Sequence, residues 1–345
     1  MNQLQVTIGI PVYQVEKYVR KSLLSALAQD FPYPYEILVV DDRGADRSMD
    51  IVREVAAQHP SGDRVRIVQH DRNLGLGEAR NTIIRNAKGK YLFFLDSDDW
   101  IYPNALSVLY AKAEETQAEI TCASSVSEEE KTGEQTIYCQ YKDDTYEHEA
   151  VGVWICLQNI KMALMVWNNL YRMDFLRKND IHAIHRVCED HWFTHSAWLY
   201  AKKMSMVSTV TLCYNVREGS IMTSMLGKKA TDEAAEELCD DIVQIWELIE
   251  NKFRQVEGVY DFYYSAIMDV LICIVASYYT EEQVRYIKQS LRNMARKVPS
   301  VRSLHSTRNR FIYLCSCLYD NGYSFYHYDA WYSKLQRYIP RILKG

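Results

Sequence analysis

Four short apolar runs alternate with helical patterns through the first hundred residues, and two of those runs end in aspartates. The runs Val6–Val12, Glu36–Val40, Val65–Val68 and Tyr91–Leu95 are rich in branched residues and bounded by polar turns, as buried strands are. Between them Val15, Val19, Leu23 and Leu27 recur at helical spacing, as do Met49, Val52, Val55 and Ala56, with Asp46 or Ser48 positioned to cap the start. A third helical stretch, Glu78–Ala87, follows Gly75 and Gly77. Strands and helices in strict alternation predict an α/β fold: a mostly parallel, doubly wound sheet with helices on both faces. Such sheets bind ligands beyond the carboxyl ends of their strands, so the chemistry is sought there.

Those ends are acidic. The second run leads into Asp41-Asp42 and the fourth into Asp96-Ser97-Asp98-Asp99. One aspartate at a strand-to-helix turn is explained by capping. Three within four residues repel one another in a way capping does not relieve, and burying them requires a cation or several donors. Hard oxygen ligands without neighbouring His or Cys favour Mg2+ or Mn2+ over zinc.

Beyond Pro103 the pattern predicts a helix to about Gln117, a strand near Glu119–Ala123, and an acidic surface hairpin or loop over Ser124–Glu149. Helices and short strands mix from Val151 to Met225, and after Lys228 the pattern is wholly helical. Two domains are therefore expected, residues 1–227 and an all-helical, basic and aromatic-rich 228–345. The composition is that of a globular protein, with 48% hydrophobic and 25% charged residues. The longest apolar run, Val270–Ala276, is far short of the roughly 20 residues that span a bilayer. Nine scattered Cys residues fit neither a zinc spacing nor a disulfide framework, and no leader pattern follows Met1; both point to the cytoplasm.

The segments VTIGIPVYQVEKYVRKSL, EILVVDDRGADRS and RNLGLGEARNTIIRNAKGKYLFFLDSDDW together resemble a family 2 glycosyltransferase of the GT-A fold, of the bacterial polysaccharide-biosynthesis type. VWNNLYRMDFLRKNDI, VCEDHWF and YNVREGSIM extend the resemblance over roughly residues 5–225. It implies transfer of a sugar from a nucleotide diphosphate sugar to a glycan or lipid-linked acceptor hydroxyl. By that resemblance Asp98 and Asp96 bind a divalent metal that bridges the diphosphate, Asp96 lying also near the ribose, and Asp99 helps orient the donor sugar. Pro11, Val12 and Tyr13 form a wall for the nucleotide and Asp42 hydrogen-bonds it; Arg80 approaches the donor and Arg217 the diphosphate. Asp190 is the general base and Glu189 its neighbour on the acceptor, which implies inversion at the anomeric carbon.

The sequence departs from the commonest family pattern at three places. Gln14 stands for Asn, Arg43-Gly44-Ala45 for a Gly-Ser-Thr run, and Asn169 for Lys. A dinucleotide dehydrogenase is set aside because no glycine fingerprint follows the first strand. His191 and His195 have a zinc-clamp spacing but lack the intervening Glu of a metalloprotease. The alternative from another class is a catalytically idle, sugar-nucleotide-binding or scaffold subunit of a polysaccharide assembly complex, against which the intact acids at Asp42, Asp96, Asp98 and Asp190 speak.

The net charge of −5 hides a basic tail: Arg285–Gly345 carries twelve Lys or Arg and two acids, interleaved with aromatics. A basic and aromatic helical face suits peripheral contact with an anionic membrane leaflet better than nucleic acid, for which no recognition module is present.

Overall fold

The structure is a computed structural model that describes residues 3–158, 160, 162–184, 189–217, 232–263 and 266. The chain divides into two compact units, Met1–Val151 with Met162–Glu218, and Gly152–Lys161 with Gly219–Gly345.

The first unit is built on a mixed sheet. Strands β1 (Val6–Val12), β2 (Tyr35–Asp41), β3 (Val65–Gln69) and β4 (Tyr91–Phe94) are all parallel, in the order β3-β2-β1-β4. The sheet continues through β9 (Asn169–Arg172), β6 (Ile120–Glu129), β10 (Lys203–Val216) and the two-residue β5 (Trp100–Ile101). Beyond β4 the direction changes: β9 runs antiparallel to both β4 and β6, while β6 and β10 are parallel. The stretch expected as a hairpin or loop forms β7 (Gln135–Cys139) against β6 and β8 (Asp144–Glu147) against β10.

Alternation along β1 explains how both faces are covered. Val6, Ile8, Ile10 and Val12 are fully buried in one core with Val19, Leu23, Ala26 and Leu27 of α1 (Val19–Leu27) and Val52 and Val55 of α2 (Ser48–Gln58). Leu106 and Leu109 of α4 (Ala105–Thr116) join the same core, and α5 (Val151–Leu157) and α6 (Met173–Lys178) follow in the chain. Each such side chain contributes about 1.5–3 kcal/mol on leaving water. The opposite face carries Gly9, where an added Cβ would lie 2.3 Å from Ile83 Cγ2. Glycine is required there so that α3 (Leu76–Asn86) can lie directly on the strand. Phe94, the partner of Gly9 in register, packs edge-on against Phe193 of α7 (Glu189–Tyr200), 5.9 Å between ring centres. Helices α3 and α7 therefore share the face that leads to the end of β4. The N-cap of α2 is Arg47 rather than Asp46 or Ser48; Asp46, one residue before it, accepts the Ser48 N–H at 3.1 Å.

In the second unit a helix spans Asp232–Leu248, with Ile242 and Ile245 buried, and runs into a π-helical turn, Ile249–Phe253, that buries Ile249 and Phe253. Trp246 packs against Tyr263, 5.1 Å between ring centres. The remainder of the expected 228–345 domain, including the basic tail from Arg285, lies outside the described residues. Among the described residues no helix is long and apolar enough to cross a membrane.

Candidate active site

The acids at the end of β4 are brought against two helices by one buried arginine. Arg80, on α3, is 1% exposed. Its Nη1 lies 3.1 Å from Asp96 Oδ1, and its Nη2 lies 3.3 Å from Glu189 Oε1 and 3.6 Å from Asp190 Oδ1. The ring of Phe94 lies beneath the guanidinium at 5.5 Å. Three carboxylates from two distant segments thus share one guanidinium, which these charges hold firmly protonated against the effect of burial. Their geometry is imperfect: Arg80 Nη1, Asp96 Oδ1 and Asp190 Oδ1 are buried without a hydrogen-bond partner, the close approaches being ionic contacts out of line.

Glu189 and Asp190 open α7, where negative charge also favours a helix N-terminus. Their surroundings differ. The Glu189 side chain is 5% exposed and engages Arg80, whereas that of Asp190 is 31% exposed. Burial, and then the charge of Asp190, push the Glu189 carboxyl well above the usual carboxylate range. Asp190 is raised as well, by burial first, with Arg80 opposing it.

Asp98 and Asp99 are held by the end of β10. Arg217 Nε donates to Asp98 Oδ2 at 2.8 Å, and its Nη2 lies in ionic contact 2.8 Å from the same oxygen. The Asn215 N–H donates to Asp99 Oδ1 at 2.8 Å, while Asp99 Oδ2 is buried without a partner. Burial and the charges of its neighbours raise Asp98, and raise Asp99 well above the ordinary range. Five carboxyl groups (Asp96, Asp98, Asp99, Glu189 and Asp190) therefore face two guanidinium groups. That excess of acid, with orphaned oxygens on Asp96 and Asp99, fits a hard divalent cation, which one or two carboxylates and a substrate diphosphate are enough to hold. Among the described residues no group of three or more His, Cys, Asp or Glu side chains forms a ready-made metal cage.

Asp42 is held by the loop that follows β3. Its Oδ1 accepts from the Leu74 N–H and its Oδ2 from the Gly75 N–H and Asn73 Nδ2, at 2.7–2.9 Å. His70 Nδ1 stands 2.7 Å from Oδ1, and its Nε2 meets Thr82 Oγ1 at 2.8 Å. Four protein groups thus surround this carboxylate. Through them Asp42 shapes the turn that opens α3, in which Gly75 adopts a φ of +92°. His70 and Asn73 were not singled out from the sequence; Asn73 lies in the Arg-Asn-Leu-Gly turn, where it was legible.

Pro11 and Val12 are buried in β1, and Val12 C=O accepts the Asp42 N–H at 3.0 Å; Tyr13, 45% exposed, is the member of that trio that reaches solvent. A cavity of about 540 Å3 lies past the end of β3, lined by Gln69, His70, Asp71, Arg72 and Leu74. Arg43, with φ +60°, donates through Nε to the C=O of the lining residue His70 at 2.7 Å. Asn169 is turned inward, donating to Met165 C=O at 2.8 Å and to the Tyr171 hydroxyl at 3.1 Å, so the third departure from the family pattern is a packing change.

One feature had no signal in the sequence. Trp167 and Tyr214 stack at 5.6 Å with 11° between planes, and Tyr138 of β7 leans on both. Burial, with lesser effects from Cys139, Asp190 and Asp99, pushes the Tyr138 phenol up to about 12.

Residues 7–178 match Glycosyl transferase family 2. The chain is 30% identical over 225 residues to glycosyltransferase GlyA of Streptococcus pneumoniae, covering 63% of this chain and 31% of that protein. It is 30% identical over 226 residues to the poly(ribitol-phosphate) beta-glucosyltransferase of Bacillus spizizenii, covering 64% of this chain and 34% of that one. The chain thus spans about a third of the length of these two relatives. In structure it is similar to Staphylococcus aureus TarS 1-349 in complex with UDP, with a TM-score of 0.68 at 22% identity over 91% of this chain and 87% of that one. The fold, a mixed α/β sheet of the GT-A kind, is common to both. Through residues 7–178 the chain belongs to glycosyl transferase family 2.

Proposed function

We propose that this protein transfers a sugar from a nucleotide diphosphate donor to the hydroxyl of a glycan or lipid-linked acceptor, with inversion at the anomeric carbon, in the synthesis of a bacterial surface polysaccharide. The observation that carries the reading is the buried Arg80 joining Asp96, at the end of β4, to Glu189 and Asp190 at the start of α7. It sets a donor-side acid and an acceptor-side acid around one fixed charge.

In this reading Asp190, the more exposed of the helix pair, accepts the proton of the acceptor hydroxyl. The oxygen forms its bond to the anomeric carbon as the carbon–phosphate oxygen bond breaks, and that electron pair leaves with the diphosphate. Glu189 keeps Arg80 in place and thereby orients Asp190 and Asp96. Asp98 and Asp96 would hold Mn2+ or Mg2+, which when bound supplies a Lewis acid for the departing diphosphate. Arg217 offers that diphosphate a planar donor fork. The nucleotide base has the cavity beyond β3 and the face of Tyr13 available to it, with Asp42 acting through the loop it holds.

Uridine diphosphate is the first nucleotide to test, since the structurally similar TarS was solved with it. Calorimetric titration with UDP, GDP and their common sugar conjugates, with and without Mn2+, tests the reading. Micromolar binding of one nucleotide family, with slow release of free sugar, is expected. Indifference to all of them overturns it; binding without any turnover favours an idle subunit. Contact of the basic tail with membrane is a separate part of the proposal, read by flotation on anionic vesicles with and without residues 285–345.

A further inference from the structure

Asp98, assigned to the metal under the proposed function, already carries a cation. Both Arg217 Nε and Arg217 Nη2 lie 2.8 Å from the same oxygen, Oδ2. The arrangement is built rather than incidental. The side chains are 14% and 20% exposed, and the guanidinium lies 4.6 Å over the ring of Tyr18. That ring is fixed by its hydroxyl, which donates to Glu130 Oε1 at 3.0 Å. One strand end thus addresses two adjacent acids: the Asn215 N–H takes Asp99, and two residues later Arg217 takes Asp98.

We infer that Arg217 is an exchangeable counter-cation, which neutralises Asp98 while no donor is bound and which a divalent ion must displace from Oδ2 to use this carboxylate fully. The inference rests on the proposed function for the identity of the ligand, and on the geometry alone for the competition. An arginine cannot relieve its charge by losing a proton, so displacement is favoured where another anion receives it. A nucleotide diphosphate is such an anion, and it accepts a guanidinium through two parallel bonds. Metal and diphosphate then arrive together more readily than either arrives alone: the ion releases Arg217, and the phosphate captures it. Free metal is kept off the acids by the resident cation, because a ligand that binds only a displaced state is weakened by the rarity of that state.

The two halves of the exchange have opposite signs, which makes the test direct. Mn2+ alone is titrated into the full chain and free ion is counted by electron paramagnetic resonance, in wild type, Arg217→Ala and Arg217→Lys. Removing a charge-assisted pair of this kind is expected to tighten Mn2+ binding about ten- to a hundredfold in Arg217→Ala, with Arg217→Lys between. UDP without metal is expected to bind the alanine variant more weakly than wild type. Tyr18→Ala, which loosens the guanidinium without altering Asp96, Asp98 or Asp99, is expected to tighten Mn2+ binding to a smaller extent, and serves if Arg217→Ala misfolds.

Equal or weaker Mn2+ binding in Arg217→Ala and Tyr18→Ala, in variants that melt as wild type does, overturns the exchange. If no nucleotide binds wild type, the glycosyltransferase reading falls, while the Mn2+ comparison still decides whether Arg217 and the metal compete.

Discussion

Arg80 Nη2 and Glu189 Oε1 lie 3.3 Å apart, although 109 residues separate them in the chain. Both side chains are almost wholly buried, and no water is needed to explain their encounter: α3 and α7 share one face of the sheet and aim these groups at the end of β4. A buried charge of this kind is weak evidence for stability but strong evidence of dependence, because removing one partner strands the others. Arg80→Ala leaves Asp96, Glu189 and Asp190 facing one another and is expected to lower unfolding stability by about 3–5 kcal/mol at neutral pH. The loss shrinks in acid, where the carboxyls are neutral in both states. Urea denaturation at neutral and acid pH, with the slope checked for constancy, measures it.

Asp42 makes a second prediction, because its role is read from its donors. Asp42→Asn keeps the size and turns an amide toward at least one of the Leu74 and Gly75 N–H groups. Leaving such a donor unmet costs about 1–3 kcal/mol. The loss should appear first where the loop is held: amide hydrogen exchange at Leu74 and Gly75 is expected to accelerate, with the sheet amides of β1 unaffected. A direct nucleotide contact would instead lower affinity with exchange at these amides unchanged.

Gly9→Ala tests the close approach of α3 to β1. The new methyl would stand 2.3 Å from Ile83 Cγ2, so helix or side chain must move. Overpacking of this kind costs about 1–3 kcal/mol. Ile83→Ala alone also destabilises, by opening a cavity. The pair together is expected to be less harmful than the two losses added, and a double-mutant cycle by chemical denaturation reads the coupling.

Much of this site was legible because its parts lie at strand ends, where alternation of strand and helix already directs attention. Asp96, Asp98 and Asp99 follow β4 directly, and their mutual repulsion sets them apart from a helix cap. Glu189 and Asp190 read from the sequence alone as an ordinary helix start; only the resemblance marked them. The reach of Arg80 across 109 residues has no local signature, since spacing along the chain does not encode which helix faces which. The same holds for the stack of Tyr138, Trp167 and Tyr214, which come from three separate elements. β9 and the short β5 were harder still. They run antiparallel to their neighbours in the sheet, and four or two residues carry too little period to announce a strand. Asp42 was legible as a buried acid, but not that four protein groups would use it.

The raised carboxyls of α7 predict how rate and stability move with pH. Asp190 must be ionised to accept a proton, and burial together with the charge of Asp96 raises its carboxyl from the ordinary aspartate value, Arg80 resisting. Transfer rate under saturating donor is therefore expected to fall as pH drops, with a midpoint above that ordinary value. Asp96→Asn removes one of the raising charges and should move the midpoint down. Stability runs the other way. Glu189 is held well above its unfolded value, so the folded chain binds a proton that the unfolded chain releases. Over the interval from the ordinary carboxylate value up to that raised one, stability contributed by this group declines as pH rises, and below the interval it is fully present. Glu189→Gln, which does not titrate, is expected to flatten the dependence of unfolding stability on pH across that interval. An unchanged slope in Glu189→Gln, measured by urea denaturation at successive pH values, would place the proton elsewhere.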